Sequence, residues 1–363
     1  MRTIISLSLK IFLINIILFY LLAEIILAIL DLPKDYQPHI SPAQFQLTKN
    51  KEILYLNIPN SDIEFQYDGN PRGYFRQNNI VHHTTNSFGF RGEEFNYQKL
   101  PATYRVVFLG DSFTFGEGVY DDDVYPVIFE RIANELNLLE GKTFESVNLG
   151  VGGFNTQQQW ALLEELGDKL TPDALIVGYN LNDAEDYLFE FRERSLLRKE
   201  RVVDREIHLI KAENPPAFIH LSRLHRLVWQ YTQQRRISQA TIGFYNNLYS
   251  GDSLTWRQNK LALESMVQYA RERNIPLTIV IFPVLYKVNR NYPFYSIHTK
   301  LHELLDYEDI DYIDLLPNLK GFRDAQLWVH PTDQHPNEVV HKIIAQTLIE
   351  HFQKLIVHKS REQ

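Results

Sequence analysis

The residues in this chain best suited to chemistry are one serine, one histidine and a few polar groups able to serve them. Ser112 closes the tripeptide Gly110-Asp111-Ser112, directly after the apolar run Val106-Val-Phe-Leu109. His335 lies in Trp328-Val-His-Pro-Thr-Asp-Gln-His-Pro-Asn337, two residues after Asp333. Gly153 ends Asn148-Leu-Gly-Val-Gly-Gly153, and Asn182 belongs to Asn180-Leu-Asn-Asp183. A serine hydroxyl is a poor nucleophile until a base takes its proton, and histidine titrates in the range to do so. A carboxylate beside the imidazole fixes its tautomer and stabilises the imidazolium. A tetrahedral oxyanion needs donors already aimed at it, which a glycine N–H and an asparagine amide can supply. Against this stands the plain use of Gly-Asp-Ser as a turn or a cap.

The elements that must position these groups follow from the hydrophobic pattern. Val106 to Leu109 is a continuous β-rich run, suited to a strand buried on both faces of a parallel sheet. Further strands are predicted over Phe144–Leu149, Ala174–Tyr179, Leu277–Phe282 and Tyr312–Leu316. Helical patterns fall between them, at Val124–Leu136, up to Leu170, at Trp256–Asn274 and from Glu338 to Leu355. Five strands with helical crossovers imply a doubly wound parallel α/β sheet with right-handed connections. In such sheets the ligand crevice lies at the carboxyl ends of the strands. Ser112, Gly153 and Asn182 follow the first three strands, and the loop of Asp333 and His335 follows the fifth, so all can converge on one edge.

Asp121-Asp-Asp123 precedes the first of these helices, with Pro126 in its first turn. Calcium binding is the sharper reading of three aspartates, but the EF-hand spacing is missing. They are read as charge complementing the helix N-terminus. Residues 35–101 read as a β-rich extension that packs beside a core, with strand candidates at Ile53–Ile58 and Ile63–Tyr67. After the third strand comes an interruption of about 70 residues, 186–255, too long for an ordinary βα connection. It holds Arg192-Glu-Arg, Arg198-Lys-Glu-Arg201 and a helix over Ser222–Tyr231. Leu221, Leu224, Val228 and Tyr231 share one face of that helix. Core packing is the simpler account of the stripe; a lid, or a surface touching membrane or polymer, is the functional one. Gly251-Asp-Ser253 repeats the key tripeptide without a preceding apolar strand, and is read as a turn.

The N-terminus carries the clearest targeting feature. Ile11 to Leu30 is about 20 residues of apolar sequence, enough to span a roughly 30 Å hydrocarbon core. Glu24 is its one ionisable residue, less than two turns from the far end. The span is long for a signal peptide, and no small-x-small cleavage site follows it cleanly. Arg2, Lys10 and the amino terminus precede it, against a mixed Asp31, Lys34 and Asp35 after it. Positive-inside logic places the N-terminus in the cytoplasm and the rest outside. The expected division is therefore an anchor over 1–34, the extension over 35–101 and a catalytic domain over 102–360.

Composition narrows the classes. The 363 residues are 44% hydrophobic and 23% charged, with formal net charge −8, as in a globular protein. No basic, aromatic-interleaved patch supports a nucleic-acid partner. There is no cysteine, so disulfides, thiolate metal sites and a cysteine nucleophile are unavailable. No G-x-S-x-G elbow, H-E-x-x-H or phosphate-binding loop occurs. No cofactor and no metal are expected.

Taken in order, Gly110-Asp-Ser-Phe, Asn148-Leu-Gly-Val-Gly-Gly153, Asn182-Asp183 and Asp333-Gln-His-Pro-Asn337 resemble the four signature blocks of the SGNH (GDSL-like) hydrolases. The resemblance runs from about Asn86 to the last helix. It implies a flavodoxin-like three-layer α/β/α fold with a five-stranded parallel sheet in the order 2-1-3-4-5. It also implies a serine esterase with Ser112 as nucleophile, His335 as base and Asp333 as its orienting acid. The Ser112 and Gly153 N–H groups and the Asn182 side chain would form the oxyanion hole. Two positions depart from the family pattern. Asn180 stands where a glycine is usual, and Thr332 stands three before the histidine, where the acid is usual; Asp333 is the only nearby carboxylate. His330-Pro331 offers a competing histidine, but His335 immediately precedes the Pro-Asn that opens the last helix.

The expected activity is hydrolysis of a carboxylic ester through an acyl-enzyme, the substrate being an O-acyl group of an envelope glycan or lipid. O-acyl transfer to an exported polysaccharide and an inactive scaffold are the rivals.

Overall fold

The computed structural model describes residues 2–40, 44–185, 210, 213–251 and 253–359. Helix α1 (Arg2–Ile29) is followed by short strands β1 (Phe45–Leu47), β2 (Tyr55–Asn57), β3 (Asp62–Gln66) and β4 (Ile80–Thr84). Then come β5 (Thr103–Gly110), α2 (Ser112–Phe115), α3 (Tyr125–Glu135), β6 (Thr143–Asn148), α4 (Thr156–Leu170) and β7 (Ala174–Asn180). Helices α5 (Arg223–Leu248) and α6 (Leu254–Glu272) lead to β8 (Leu277–Phe282), α7 (Tyr295–Tyr307), β9 (Asp311–Asp314) and α8 (Leu316–Leu319). Strands β10 (Trp328–His330) and β11 (Asp333–Pro336) and helix α9 (Glu338–Lys359) complete the described chain. It divides into two compact units, Met1–Tyr36 with Lys199–Phe244, and Gln37–Arg198 with Tyr245–Gln363.

The larger unit is organised by a parallel sheet in the order β6-β5-β7-β8-β9. Numbering these strands along the chain gives the expected order 2-1-3-4-5. Central β5 pairs on both sides, with Phe108 opposite Asn148 of β6 and Ile176 of β7. Its Val106, Val107, Phe108 and Leu109 are fully buried, because alternate side chains meet helices on both faces. Val106 and Phe108 join Ile128 and Phe129 of α3 and Ile344 and Leu348 of α9 in one core. Truncating a ring such as Phe108 there would cost about 3–5 kcal/mol. Helices α4 and α6 also pack together, with Trp160 and Tyr269 rings 6.3 Å apart and Asn259 Nδ2 donating to Thr156 Oγ1 at 2.6 Å.

Some expectations are corrected. The segment Trp328–Asn337 is not a plain loop: β10 and β11 form an antiparallel pair with Trp328 opposite Pro336. Helical structure begins at Ser112 itself, since the Asp111 side chain accepts from Phe113 N at 2.8 Å and starts α2. The three aspartates do not cap α3, whose cap residue Val124 makes no side-chain bond. Asp121 instead receives Arg91 Nε at 2.8 Å, and Asp123 receives the Tyr74 hydroxyl at 2.7 Å. Strands β3 and β4 do more than pack beside a core: Ile63, Phe65, Tyr67 and Val81 close a second cluster with Phe115, Val119, Val124 and Val329.

The smaller unit pairs two helices. Within α1, Ser8–Ile29 is a 22-residue stretch of mean hydropathy 2.6, long and apolar enough to cross a membrane. Helix α5 is longer than its periodicity predicts, and of the expected apolar stripe Leu221, just before the helix, and Val228 and Tyr231 on it are exposed. The helix is held through polar atoms instead, as shown below. The arginine clusters at 192–201 lie outside the described residues. In the second Gly-Asp-Ser, Ser253 accepts from Trp256 N at 3.4 Å and caps α6; Asp252 lies outside the described residues.

Candidate active site

Ser112 meets His335, 223 positions further along the chain, and its neighbour Asp333 at the carboxyl edge of the sheet. His335 Nε2 lies 2.9 Å from Ser112 Oγ, and His335 Nδ1 lies 2.5 Å from Asp333 Oδ1. The same Asp333 oxygen accepts the His335 backbone N–H at 3.1 Å, so carboxylate and ring are fixed in one turn. This bond shows how the shortened spacing works. On the extended backbone of β11, an acid two residues before the histidine falls on the same side as the ring. Thr332 faces elsewhere, with its Oγ1 2.8 Å from His330 Nδ1. His330 is buried, its Nε2 3.0 Å from the Asp68 carbonyl, and so serves the frame rather than the serine.

Ser112 is held by what surrounds α2. Arg91 is buried and donates to the carbonyls of Phe115 (3.0 Å), Gly116 and Val119 (2.5 Å). That guanidinium fixes the turn carrying Gly116, which takes the left-handed conformation (φ 82°) that glycine adopts freely. On the other side, Asn148 Nδ2 donates to the Thr114 carbonyl at 2.9 Å. A Cβ on Gly150 would stand 2.4 Å from Phe115 N, so only glycine allows this approach. Val151 N donates to the Gly110 carbonyl at 3.2 Å, which brings Gly153, two residues on, to the same edge.

Asn182 stands beside Asp111, the neighbour of Ser112, and its side chain is among the groups that favour the ionised Asp111 carboxylate. Its buried Oδ1 has no partner among the described residues. Asn180, the departure from the family pattern, donates Nδ2 to Asp111 Oδ2 at 3.2 Å. Burial raises the Asp111 carboxyl to about 6, against the donors from Phe113, Asn180 and Asn182 and the charge of His335. Asp183 is also buried; burial first, then the Asp111 charge, pushes its carboxyl well above the ordinary aspartate value.

Sequence reasoning missed three residues here: Tyr67, Glu117 and His39. The Tyr67 hydroxyl donates to Asp333 Oδ2 at 2.7 Å. Glu117 Oε1 lies 3.9 Å from His335 Nδ1 and 3.9 Å from His39 Nε2. His39 packs over the Phe65 and Tyr67 rings, 3.9 Å from Asp333 Oδ2. None of them stands at a fixed offset from a recognisable motif. Glu117 alone had a signal, as a carboxylate five residues after the candidate nucleophile.

Charge follows from this arrangement. Burial opposes the imidazolium of His335, but the negative fields of Glu117, Asp333 and Asp111 outweigh it and hold the ring above the ordinary histidine range. Asp333 is held well below the usual carboxylate range despite its burial, by the charge and hydrogen bond of His335, by His39 and by the Tyr67 hydroxyl. Such a relay can take a proton from a serine hydroxyl and return it to a leaving group. Three histidine–carboxylate groups among the described residues have the composition of metal ligands: His39, Glu117 and Asp333; His298, His302 and Asp314; and, at the surface, Asp62, Glu64 and His82. Asp333 spends both oxygens on His335 and Tyr67. Asp314 Oδ2 lies 2.9 Å from both His298 and His302, and His298 Nε2 lies 3.2 Å from the Tyr292 hydroxyl.

The model of the GDSL-like lipase/acylhydrolase family matches residues 108–343. No curated protein matches the chain. Among solved structures the chain is similar to an acetyl xylan esterase, at 13% identity and TM-score 0.42, over 68% of this chain and 98% of that one. It is similar to a psychrotrophic esterase from Pseudoalteromonas sp., at 10% identity and TM-score 0.41, over 70% and 98%. It is also similar to a lipase/acylhydrolase from Enterococcus faecalis, at 15% identity and TM-score 0.39, over 69% and 95%.

Proposed function

The chain belongs to the GDSL-like lipase/acylhydrolase family of ester-hydrolysing enzymes, and from that premise we propose a membrane-anchored serine esterase acting on O-acyl groups of an envelope glycan or lipid. The observation that carries the catalytic part is the relay from Ser112 Oγ through His335 to Asp333, at 2.9 and 2.5 Å.

Ser112 Oγ attacks the ester carbonyl as His335 Nε2 takes its proton, and Asp333 steadies the imidazolium. The negative charge on the carbonyl oxygen is met by the N–H groups of Ser112 and Gly153 and by Asn182 Nδ2. His335 returns the proton to the departing alcohol, leaving an acyl group on Ser112. Water, deprotonated by the same ring, then releases the carboxylic acid and restores the serine.

The location rests on α1. Its 22-residue apolar stretch covers about 33 Å at 1.5 Å per residue, against a roughly 30 Å hydrocarbon core. Arg2 and Lys10 on its N-terminal side support, by positive-inside logic, a cytoplasmic N-terminus with the serine on the other side, where acylated glycans and lipids are found. Ser112→Ala should reduce hydrolysis of acetyl and butyryl esters to background while Tm stays unchanged. Retained turnover in that folded variant would overturn the assignment.

A further inference from the structure

In the smaller unit, a carboxylate from the apolar helix caps the start of the inserted helix. Glu24 of α1 accepts from Ser222 Oγ at 2.5 Å, from Arg223 N at 3.0 Å and from Leu224 N at 2.8 Å. Two of these donors are first-turn amides of α5, which have no partner within their own helix. One side chain therefore satisfies another element's helix end, and it fixes where α5 begins. Glu24 lies five residues before the end of α1, about 7–8 Å along its axis.

The next contacts fix direction. Arg223 Nη1 reaches Asp31 Oδ1 at 3.3 Å and the Leu32 carbonyl at 3.1 Å. One turn on, Arg226 Nη1 reaches Asp35 Oδ2 at 2.7 Å, and Gln230 also donates to Asp35. Ser222, then Arg223, then Arg226 and Gln230 thus meet Glu24, Asp31 and Asp35 in turn, so α5 runs the same way the chain leaves α1. On the α1 side of Ser222, α5 is preceded by the turn Ala217–Leu221, and that turn is apolar on its outside. Phe218 is 57% exposed and Leu221 84%, with Val228 at 54% and Tyr231 at 58% above them. A soluble surface rarely carries such a cluster without an occupant.

We infer that Ala217–Tyr231 is a second membrane contact, with Phe218 and Leu221 inserted among the acyl chains of the leaflet that α1 leaves, and Val228 and Tyr231 at the headgroups. This rests on the reading that α1 spans the bilayer. The occupant is lipid because the patch continues the apolar surface of α1 at the depth set by Glu24. Arg223 and Arg226 are already paired with Asp31 and Asp35, so the contact is apolar rather than a charge attraction to anionic lipid. An ester enzyme tethered in this way has a reading surface for lipid or lipid-linked substrate close to its anchor.

The absence of cysteine makes the test clean. Single cysteines are placed at Leu221, at Phe19 in α1, and at Gln239, some 25 Å further along α5. Each is labelled with an environment-sensitive fluorophore in the full chain, reconstituted in phosphatidylcholine vesicles. The label at 221 should be quenched severalfold more by doxyl-lipid than the label at 239, be shielded from iodide, and be unmoved by 1 M salt. Glu24→Ala should return it to iodide. If 221 is open to iodide while 19 is lipid-quenched, the second contact is wrong and the anchor stands. Shielding of 221 without lipid quenching means that protein covers the patch, which also overturns it. If 19 itself is not lipid-quenched, the anchor and this contact fall together.

Discussion

The Tyr67 hydroxyl donates to Asp333 Oδ2 at 2.7 Å, across 266 positions of sequence, and leaves Oδ1 to hold His335. The extension thus supplies the outer end of the relay. Tyr67→Phe should lower kcat by roughly tenfold, the worth of about 1–1.5 kcal/mol for one hydrogen bond to a buried carboxylate. KM should change little, because Tyr67 touches no substrate. An equal fall in Ser112→Ala background rates, or a change confined to KM, would count against this role.

The acid should be Asp333 and not the residue before it. Asp333→Ala removes the partner of His335 Nδ1 and should cost about 10³–10⁴ in kcat. Thr332→Ala, whose hydroxyl meets His330, should stay within a few-fold of the parent. Comparable losses in the two variants would show that the relay has been assigned to the wrong residue.

The pH profile follows from the charges around His335. The base must be neutral to accept the serine proton, so kcat/KM falls as pH drops through its pKa. Glu117, Asp333 and Asp111 together raise that value against burial, placing the acid limb above the ordinary 6.5. Glu117→Gln removes one of these fields and should move the limb to lower pH, by on the order of one unit. The alkaline plateau should hardly change. A limb that stays in place would remove Glu117 from the electrostatics of the site.

Asp183 gives a stability signature of opposite origin. Its folded pKa lies well above the ordinary aspartate value, chiefly through burial. Its contribution to stability is therefore complete below that unfolded value and is lost as pH rises through the folded one. Asp183→Asn keeps the shape of the neutral acid and should raise Tm by a few degrees at pH 8, for about 1 kcal/mol, and by less at pH 5. Thermal unfolding at both pH values decides it, a gain larger at pH 5 being the contrary result.

How much of this was legible in the sequence depended on whether the cause was local. The core strands announced themselves because Val106–Leu109, Ala174–Tyr179 and Leu277–Phe282 are fully buried runs with no polar alternation. The order 2-1-3-4-5 came with the family resemblance, and pairing registers bear it out. Ser112, His335 and Asp333 were visible because each sits in a recognisable block. Tyr67 and His39 were not, since a contact spanning the chain leaves no spacing to read. The stripe Leu221-Leu224-Val228-Tyr231 was read first as core because periodicity reports a face and not what covers it. Glu24 looked like a liability in an apolar span, and only coordinates show the helix end that it caps.

The central claim is that Ser112 is the nucleophile and His335 its base, and a fluorophosphonate probe tests it most directly. The folded protein should carry one adduct, on the peptide containing Ser112, forming faster as pH rises and almost absent in His335→Ala. A folded, unmodified Ser112, or an adduct rate indifferent to the loss of His335, would contradict it.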